Sequence, residues 1–442
     1  MIEQAKKIFI TGIGGIGVSA LAMLLKSQGK EITGSDIEAS QITRDLFAKG
    51  VLIKIGQDKD NIQRDIDLLI YSAAVPERGP ERSEAKKLRK PEMSYSEALG
   101  EIAAPYGKVI GVSGTNGKTT TTAMIGRILE QAYEDPTVVV GSKVLSWNSN
   151  VRIGAKKYLV LEADEYKRAF LNYPVDVAVI TNIEADHLDY YRDIDDIKNA
   201  FQQFVARIKP GGTLIYNSDD ENCRQIAGGF GGKKISFSLS GNGDITATSM
   251  PGLKLIIPGV FTWLNALAAA SATSALGIPW LAIRSGLENF TGTWRRFELI
   301  GRVGRTDVIS DYAHHPTGLK MFLETAFDVY TGKSILAIFQ PHQKNRTKNL
   351  FNDFVKSMVE SQVSDFIIPE IFEVAGRENE NDKISSEDLV RELKKAGKNA
   401  VFMPTLAECE KRVRELIGVY DAMLFIGAGD IYRTANKIAG KS

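Results

Sequence analysis

The 442-residue sequence has few of the residues on which disulfide-bonded and zinc-bound frameworks depend. It contains two cysteines, Cys223 and Cys409, and only four histidines. The cysteines lie far apart and form no Cys-x-x-Cys motif, which disfavours a disulfide framework or a zinc site and is typical of a reducing compartment. The 55 basic and 54 acidic residues nearly cancel. The sequence therefore predicts no general attraction to nucleic acid or to a membrane surface.

Long apolar runs are also scarce. The N-terminal stretch MIEQAKKIFIT has no apolar run that ends at a small-residue cleavage site, so we expect no signal peptide and a cytoplasmic location. One uncharged stretch, residues 260–280, is long enough to cross a bilayer. It is dominated by Ala, Ser and Thr and contains Asn265, which predicts a buried helix and no membrane span.

Short apolar runs that alternate with helical patterns predict an α/β protein. A prior of about 150 residues per domain suggests roughly three domains in a chain of this length. We predict a Rossmann-like domain over residues 1–105, a central P-loop ATPase-like α/β domain over residues 106–298, and a Rossmann-like α/β domain over residues 299–442.

The first chemical motif is the N-terminal GIGGIG. Gly12, Gly14 and Gly17 have G-x-G-x-x-G spacing after a β-like run, and Asp36 follows about twenty residues after the loop. This pattern lets backbone amides approach a pyrophosphate. Taken alone, this glycine pattern is also consistent with an NAD-dependent dehydrogenase.

The second motif, VSGTNGKTTTT, predicts a polyphosphate-binding loop. A β-like run enters a Gly-rich turn, and a helical pattern begins at Lys118 and Thr119. The lysine would bridge the β- and γ-phosphates of a nucleotide, and the threonine hydroxyl would bind Mg²⁺. Val112 replaces the first glycine of the strict pattern. A dehydrogenase would leave this loop without a purpose.

Acidic residues and histidines follow the apolar runs, where ligands bind in parallel α/β sheets. Glu162 ends one run in LEADE, and it is a candidate metal ligand or a capping carboxylate. All four histidines follow such runs: His187, His314, His315 and His342. The pair Arg295 and Arg296 suits phosphate contact or a solvated surface, and Asp311 suits a ribose hydroxyl or a turn cap.

The ordered set GIGGIG, GTNGKTTTT, EADE, TNIEADH, LNALAA, RRFE, DYAHHPT, FQPH…RT and GAGD resembles the Mur ligases, the ATP-dependent amide-forming enzymes of peptidoglycan synthesis. The likeness spans nearly the whole chain and is strongest to the alanine-adding branch. It implies joining of L-alanine to the lactyl carboxylate of UDP-N-acetylmuramate through an acyl phosphate, in a monomer or weak dimer. A tripeptide-recycling ligase is the nearest alternative, although its third domain usually lacks FQPH…RT.

The resemblance also assigns ligands to residues. Substrate-binding positions are Gly12, Gly14, Gly15, Ile16, Gly17, Asp36, Ser72, Ala73 and Ala74 for the UDP-sugar, with Glu165, His314, His342 and Arg346. ATP-binding positions are Gly114, Thr115, Asn116, Gly117, Lys118, Thr119, Thr120, Asn265, Arg296 and Asp311. Two Mg²⁺ ions would be held by Thr119, Glu162 and His187. The catalytic positions are Lys118, His187, His314, His342 and Arg346.

Three departures from the alanine-adding pattern stand out. That branch commonly reads GTHGKTTT, EADESD and FQPHRYTRT, whereas this chain reads GTNGKTTT, EADEYK and FQPHQKNRT. Gln343 and Lys344 thus replace an arginine and a tyrosine near the expected amino-acid site. Lys344 would supply a flexible point charge in place of a bidentate guanidinium, which leaves open a preference for alanine, serine or glycine.

Overall fold

The structure is a computed structural model that describes residues 1–373 and 383–441. The described strands form three sheets, of five, eight and six strands. The chain divides into two compact units: residues 1–186, 190–255 and 263–291 form the first, and residues 187–189, 256–262 and 292–442 the second. Three sheets with flanking helices confirm the predicted α/β class.

The first sheet is wholly parallel and has the strand order β3-β2-β1-β4-β5. Strands β1 to β5 cover Lys7–Thr11, Glu31–Asp36, Leu52–Ile55, Leu68–Tyr71 and Glu92–Ser94. Helices α1 to α4 cover Ile16–Ser27, Gln41–Ala48, Pro80–Lys87 and Tyr95–Ala103, and a 3-10 turn covers Lys59–Asn61. Capping boxes at Ser40 and Ser94 fix the starts of α2 and α4.

The second sheet has the order β13-β12-β11-β10-β6-β9-β7-β8, and only its edge pair β7–β8 is antiparallel. Strands β6 to β13 cover Lys108–Ser113, Thr137–Val144, Ser149–Arg152, Tyr158–Glu162, Val177–Ile180, Thr213–Asn217, Lys233–Ser238 and Ile245–Thr246. Helices α5 to α9 cover Lys118–Gln131, Ile194–Val205, Glu221–Gly228, Val260–Ala275 and Trp280–Glu288. Two 3-10 segments cover Tyr166–Asn172 and Ala247–Ser249.

The apolar stretch after residue 260 is helical, as predicted. Helix α8 covers most of it, and Ala266–Ala270 within this helix are buried. Among the described residues, no helix is both long and apolar enough to cross a membrane.

The first two sheets share one hydrophobic core. A single cluster contains Ile10 and Leu21 of the first sheet region together with Tyr106, Phe170 and Phe204 of the second. The rings of Phe170 and Phe204 stack with their centroids 4.7 Å apart. Cys223 is buried in the same cluster as a free thiol, so these two α/β layers form one compact unit.

The third sheet has the order β14-β15-β19-β16-β17-β18, in which only β14 is antiparallel to its neighbour. Strands β14 to β19 cover Glu298–Val303, Thr306–Asp311, Ile335–Phe339, Asp365–Pro369, Asn399–Met403 and Ala422–Ile426. Helices α10 to α15 cover Pro316–Val329, Lys344–Asn349, Phe351–Glu360, Ser386–Lys395, Leu406–Glu415 and Ile431–Ile438. Cys409 is buried here as a free thiol.

Candidate functional site

The N-terminal glycine loop joins β1 to α1 and is fixed by Asp36. The Gly14 amide donates to Asp36 Oδ2 at 2.7 Å, and the Ile37 amide donates to Oδ1 at 2.8 Å. Gly12 has a φ of +74°, a left-handed conformation that favours glycine. The carboxylate predicted to contact a nucleotide therefore also holds the loop in shape.

The turn that follows β4 packs directly on this loop. A Cβ atom on Gly12 would lie 2.8 Å from the Ser72 Cβ atom, so no larger residue fits there. The Ser72 amide donates to the Thr11 carbonyl at 3.1 Å, and the Val75 amide closes the turn by donating to the Ser72 carbonyl at 2.9 Å. Two of the predicted UDP-sugar segments, the glycine loop at Gly12 and the turn at 72–74, thus lie side by side.

The phosphate loop joins β6 to α5 and requires glycine at two positions. Gly114 and Gly117 have φ values of +131° and +90°, and a Cβ atom would collide with Thr181 Oγ1 at the first and with Asn265 Oδ1 at the second. The amide of Asn116 donates to Asn182 Oδ1 at 2.9 Å, and Asn182 Nδ2 returns a bond of 2.9 Å to the Asn116 carbonyl. The loop is held from the end of β10 in a shape that leaves the N-terminus of α5 able to receive an anion.

Lys118, the first residue of α5, already has an ionic partner. Its Nζ donates to Glu165 Oε1 at 2.9 Å and to the Gly114 carbonyl at 2.5 Å. Burial opposes the lysine's charge, but the attraction of Glu165, reinforced by Asp164 and Glu162, outweighs it and raises the pKa of Lys118. The lysine is therefore charged at neutral pH and held beside the loop.

Glu162, the last residue of β9, lies beside Thr119. The Gly141 amide donates to Glu162 Oε1 at 2.5 Å. Desolvation raises the pKa of Glu162, and the Gly141 amide, the charge of Lys118 and the Thr119 hydroxyl offset part of this rise. A desolvated carboxylate next to a hydroxyl is the oxygen donor set that Mg²⁺ prefers, so these two residues fit the predicted metal.

Asn265 of α8 contacts both Gly117 of the phosphate loop and Thr121 of α5. Its Oδ1 accepts a hydrogen bond of 3.2 Å from Thr121 Oγ1 and faces Gly117. The Thr115 hydroxyl accepts from the Glu184 amide at 2.8 Å. The first unit therefore brings the predicted ATP-binding positions 114–120 and Asn265 together.

The second unit gathers His314, His342 and Arg346. The two imidazole rings lie 5.8 Å apart between centroids, and Arg346 donates to His342 Nδ1 at 3.1 Å. The Lys344 ammonium lies 3.8 Å from the Glu373 carboxylate, so its charge is partly balanced. His187 has a left-handed φ of +55° and is grouped with the second unit.

The adjacent residues Arg295 and Arg296 differ in burial and in their contacts. Arg295 is 3% exposed and donates to the carbonyls of Gly427 and Gly429, and its burial lowers the pKa to about 10. Arg296 is half-buried with its guanidinium 5.2 Å from the Tyr312 ring centroid. Asp311 accepts from the amides of residues 297 and 313, both at 2.8 Å, and burial raises its pKa.

Several residues that support the site were missed by sequence reasoning. Asn182 lies within the TNIEADH motif but was not singled out, and Gly141 belongs to strand β7, which has no motif of its own. Asn150 of β8 donates to the Ile16 carbonyl at 2.5 Å and to Ser19 Oγ at 3.0 Å, which ties the N-terminal glycine loop to the second sheet. No sequence signal indicates these contacts, because each joins residues far apart in the chain.

Comparison with known proteins assigns this architecture to one class of enzyme. Residues 7–106 match the Mur ligase catalytic domain family, residues 112–273 the Mur ligase middle domain, and residues 295–429 the Mur ligase glutamate ligase domain. The chain belongs to the Mur ligase family.

Its relatives include several enzymes with the same name, UDP-N-acetylmuramate–L-alanine ligase. The chain is 37% identical to the UDP-N-acetylmuramate–L-alanine ligase of Clostridium novyi, over 98% of this chain and 96% of that protein. It is 38% identical to the Caldicellulosiruptor saccharolyticus enzyme of the same name, over 99% of both. The crystal structure of the Thermotoga maritima UDP-N-acetylmuramate–alanine ligase superposes with a TM-score of 0.83 at 29% identity, over 98% of both chains.

Proposed function

We propose that this chain is an ATP-dependent ligase that joins L-alanine to the lactyl carboxylate of UDP-N-acetylmuramate, a step of peptidoglycan precursor synthesis. The observation that carries the proposal is the phosphate loop with Lys118 held beside Thr119 and Glu162, in a chain that matches alanine ligases over its whole length. A dehydrogenase would need none of these three residues.

The chemistry follows from the leaving group. A carboxylate does not acylate an amine directly, because oxide would have to leave. The lactyl carboxylate oxygen instead attacks the γ-phosphorus of ATP, the bond from that phosphorus to the ADP oxygen breaks, and an acyl phosphate forms. The alanine amine then attacks the acyl carbon, loses a proton, and inorganic phosphate leaves.

The first step brings two anions together, so charge compensation decides its rate. We assign Lys118 to the β- and γ-phosphates, where its ammonium would offset the repulsion between triphosphate and carboxylate. To do this it must turn away from Glu165, its present partner at 2.9 Å. The backbone amides of residues 114–120 at the N-terminus of α5 complete the phosphate site.

We assign Thr119 to a first Mg²⁺, and Glu162 and His187 to a second. Mg²⁺ would neutralise charge on the β- and γ-phosphates during transfer. Asn265, Arg296 and Asp311 are the remaining proposed ATP contacts.

The other proposed assignments follow the ligands. Position 12, positions 14–17, Asp36 and positions 72–74 hold the UDP-sugar, and Glu165 contacts the substrate. His314, His342 and Arg346 of the second unit face the incoming amino acid. We further propose domain limits at residues 105 and 298, a cytoplasmic location, and a monomer or weak dimer.

Phosphate release from ATP tests the function. With UDP-N-acetylmuramate and L-alanine present, the protein should release phosphate, and alanine, serine and glycine should be compared. The absence of release with all three would exclude the proposal. Release only with a tripeptide would favour the recycling ligase, and tight NADH binding without ATP turnover would favour a dehydrogenase.

Substitution of Lys118 tests the site. Lys118→Ala should lower phosphate release by about 10³-fold or more, because the charge that opposes triphosphate repulsion is lost. Lys156→Ala is the matched control. Lys156 is an exposed lysine that precedes the first residue of β9, whereas Glu162 is the last residue of that strand. Appreciable turnover by Lys118→Ala would contradict the assignment.

A further inference from the structure

Lys167 connects the two α/β layers of the first unit at the predicted substrate site. Its ammonium donates to the Ala73 carbonyl at 3.2 Å. Ala73 belongs to the turn that packs on Gly12. The cation therefore lies beside the glycine loop, although it belongs to the segment that follows β9.

Among the residues that the structure describes, no carboxylate pairs with this lysine. Its partners in the described part of the chain are the Ala73 carbonyl and the Tyr166 ring, whose centroid lies 5.5 Å from Nζ. Both are neutral, and the Lys167 side chain is exposed. An ammonium on a flexible stem can leave a carbonyl for a stronger acceptor with little cost.

The backbone holds Lys167 in a conformation that most residues avoid. Lys167 and Arg168 have consecutive left-handed φ values of +51° and +57°, and such residues persist only where their surroundings enforce them. Two residues earlier, Glu165 bonds Lys118. The same short segment thus contacts the phosphate-loop lysine and the turn of the first sheet.

We propose that Lys167 binds an oxyanion of the nucleotide-sugar, either on its diphosphate or on its lactyl carboxylate, and thereby contributes to substrate affinity. The inference rests on the proposed function. It concerns this chain in particular, because the alanine-adding pattern EADESD has an acid where EADEYK has Lys167. The ammonium would exchange the Ala73 carbonyl for the charged oxygen, which makes the stronger hydrogen bond.

Calorimetric titration separates the possible ligand groups. UDP, UDP-N-acetylglucosamine and UDP-N-acetylmuramate should be titrated into the wild type, Lys167→Asn, Lys167→Arg and the control Lys156→Asn. Asparagine removes the charge and tolerates a left-handed backbone. We expect Lys167→Asn to raise Kd about tenfold, consistent with loss of a charge-assisted hydrogen bond, with Lys167→Arg and Lys156→Asn close to the wild type.

The three ligands then identify the bound group. Weaker binding of all three assigns Lys167 to the diphosphate, and weaker binding of UDP-N-acetylmuramate alone assigns it to the carboxylate. Unchanged affinities, or an equal loss of ATP-analogue affinity, would overturn the inference. A wild type that binds none of the UDP-sugars would instead refute the proposed function.

Discussion

Two cations in this protein, the partly buried Lys118 and the buried Arg295, are stabilised in different ways. Lys118 has a carboxylate partner, Glu165, and its pKa is raised. Arg295 is surrounded by carbonyls and by the rings of Tyr312 and Tyr432, at 4.9 and 4.6 Å from its Cζ atom, and burial lowers its pKa. In the first arrangement, the proposed phosphate ligand would replace the ionic partner, whereas the second arrangement joins separate segments of the chain.

Arg295 and Arg296 give a matched pair for a stability test. Arg295→Met should lower the free energy of unfolding of the second unit by about 3 kcal/mol, because buried carbonyls at 427–429 lose their donor. Arg296→Met should cost less than about 1 kcal/mol, since that side chain is half-buried. Chemical denaturation of both variants measures the difference, and equal losses would refute the structural role of Arg295.

At the scale of elements, strand β7, which lies between β8 and β9, positions a carboxylate of its neighbour β9. A Cβ atom on Gly141 would lie 2.6 Å from Glu162 Oε2, although Gly141 itself is exposed and has no left-handed φ. Gly141→Ala should therefore displace Glu162 and raise the Mg²⁺ concentration for half-maximal phosphate release about tenfold. Gly231→Ala, where nothing lies within 4 Å, should leave the Mg²⁺ requirement unchanged; a similar shift in both variants would contradict this role.

Asp176, which precedes β10, joins the N-terminal ends of strands β10 and β6 in the second sheet. These ends lie away from the phosphate loop, which follows the C-terminal end of β6. Its carboxylate accepts from the Val109 amide at 2.9 Å and from Lys209 and Lys108 at 2.9 and 3.2 Å. Burial alone would raise its pKa, but these donors together hold the pKa of Asp176 below its ordinary value of 3.8. The carboxylate therefore stabilises the folded state above pH 3.8, and this contribution is lost as the pH falls below that value.

Asp176→Asn tests this pH dependence. At pH 7 the variant should lose about 2 kcal/mol of unfolding free energy, because the amide cannot accept from all three donors. The difference from wild type should shrink as the pH falls below 3.8. Urea denaturation at pH 7 and pH 3 measures it, and a difference that grows toward acid pH would exclude the explanation.

The sequence predicted the elements that carry strong local patterns. The short apolar runs from which the α/β class was predicted include LLIY, YLVLE and AMLFI, which form the buried strands β4, β9 and β19. Parallel strands covered on both faces read as such continuous apolar runs. Strands β7, β12 and β14, of six to eight residues, were not predicted, and neither were strand β5 and the edge strands β8 and β13. The last three have two to four residues, and tertiary pairing rather than composition makes them strands.

The candidate site was likewise predictable from the sequence only in part. The glycine loops were predictable, since left-handed φ values and close packing leave glycine as the residue that fits at Gly12, Gly114 and Gly117. The bonds from Asn150 to Ile16 and from Lys167 to Ala73 were not, because they join residues 134 and 94 positions apart. The ligand roles of the site residues stay predictions.

At the scale of the whole molecule, the shared core predicts how the protein unfolds. One hydrophobic cluster contains residues of both of the first two sheets, and the third sheet has clusters of its own. We expect two transitions in calorimetry rather than three. UDP-N-acetylmuramate should raise only the transition temperature of the first unit, because a ligand stabilises the part that binds it. Arg295→Met should lower only the transition temperature of the second unit. Three separate transitions would contradict the shared core.

The core shared by the first two sheets also limits how such a chain can be recombined with its relatives. Exchange of residues 1–105 alone would replace half of a packed interior, which includes the neighbours of Tyr106, Phe170 and Phe204. Closely packed interiors tolerate such replacement poorly. A chimera joined near residue 292, where the second unit's main segment begins, keeps each core intact, so the proposed amino-acid site should be more readily transplanted than the proposed nucleotide-sugar site.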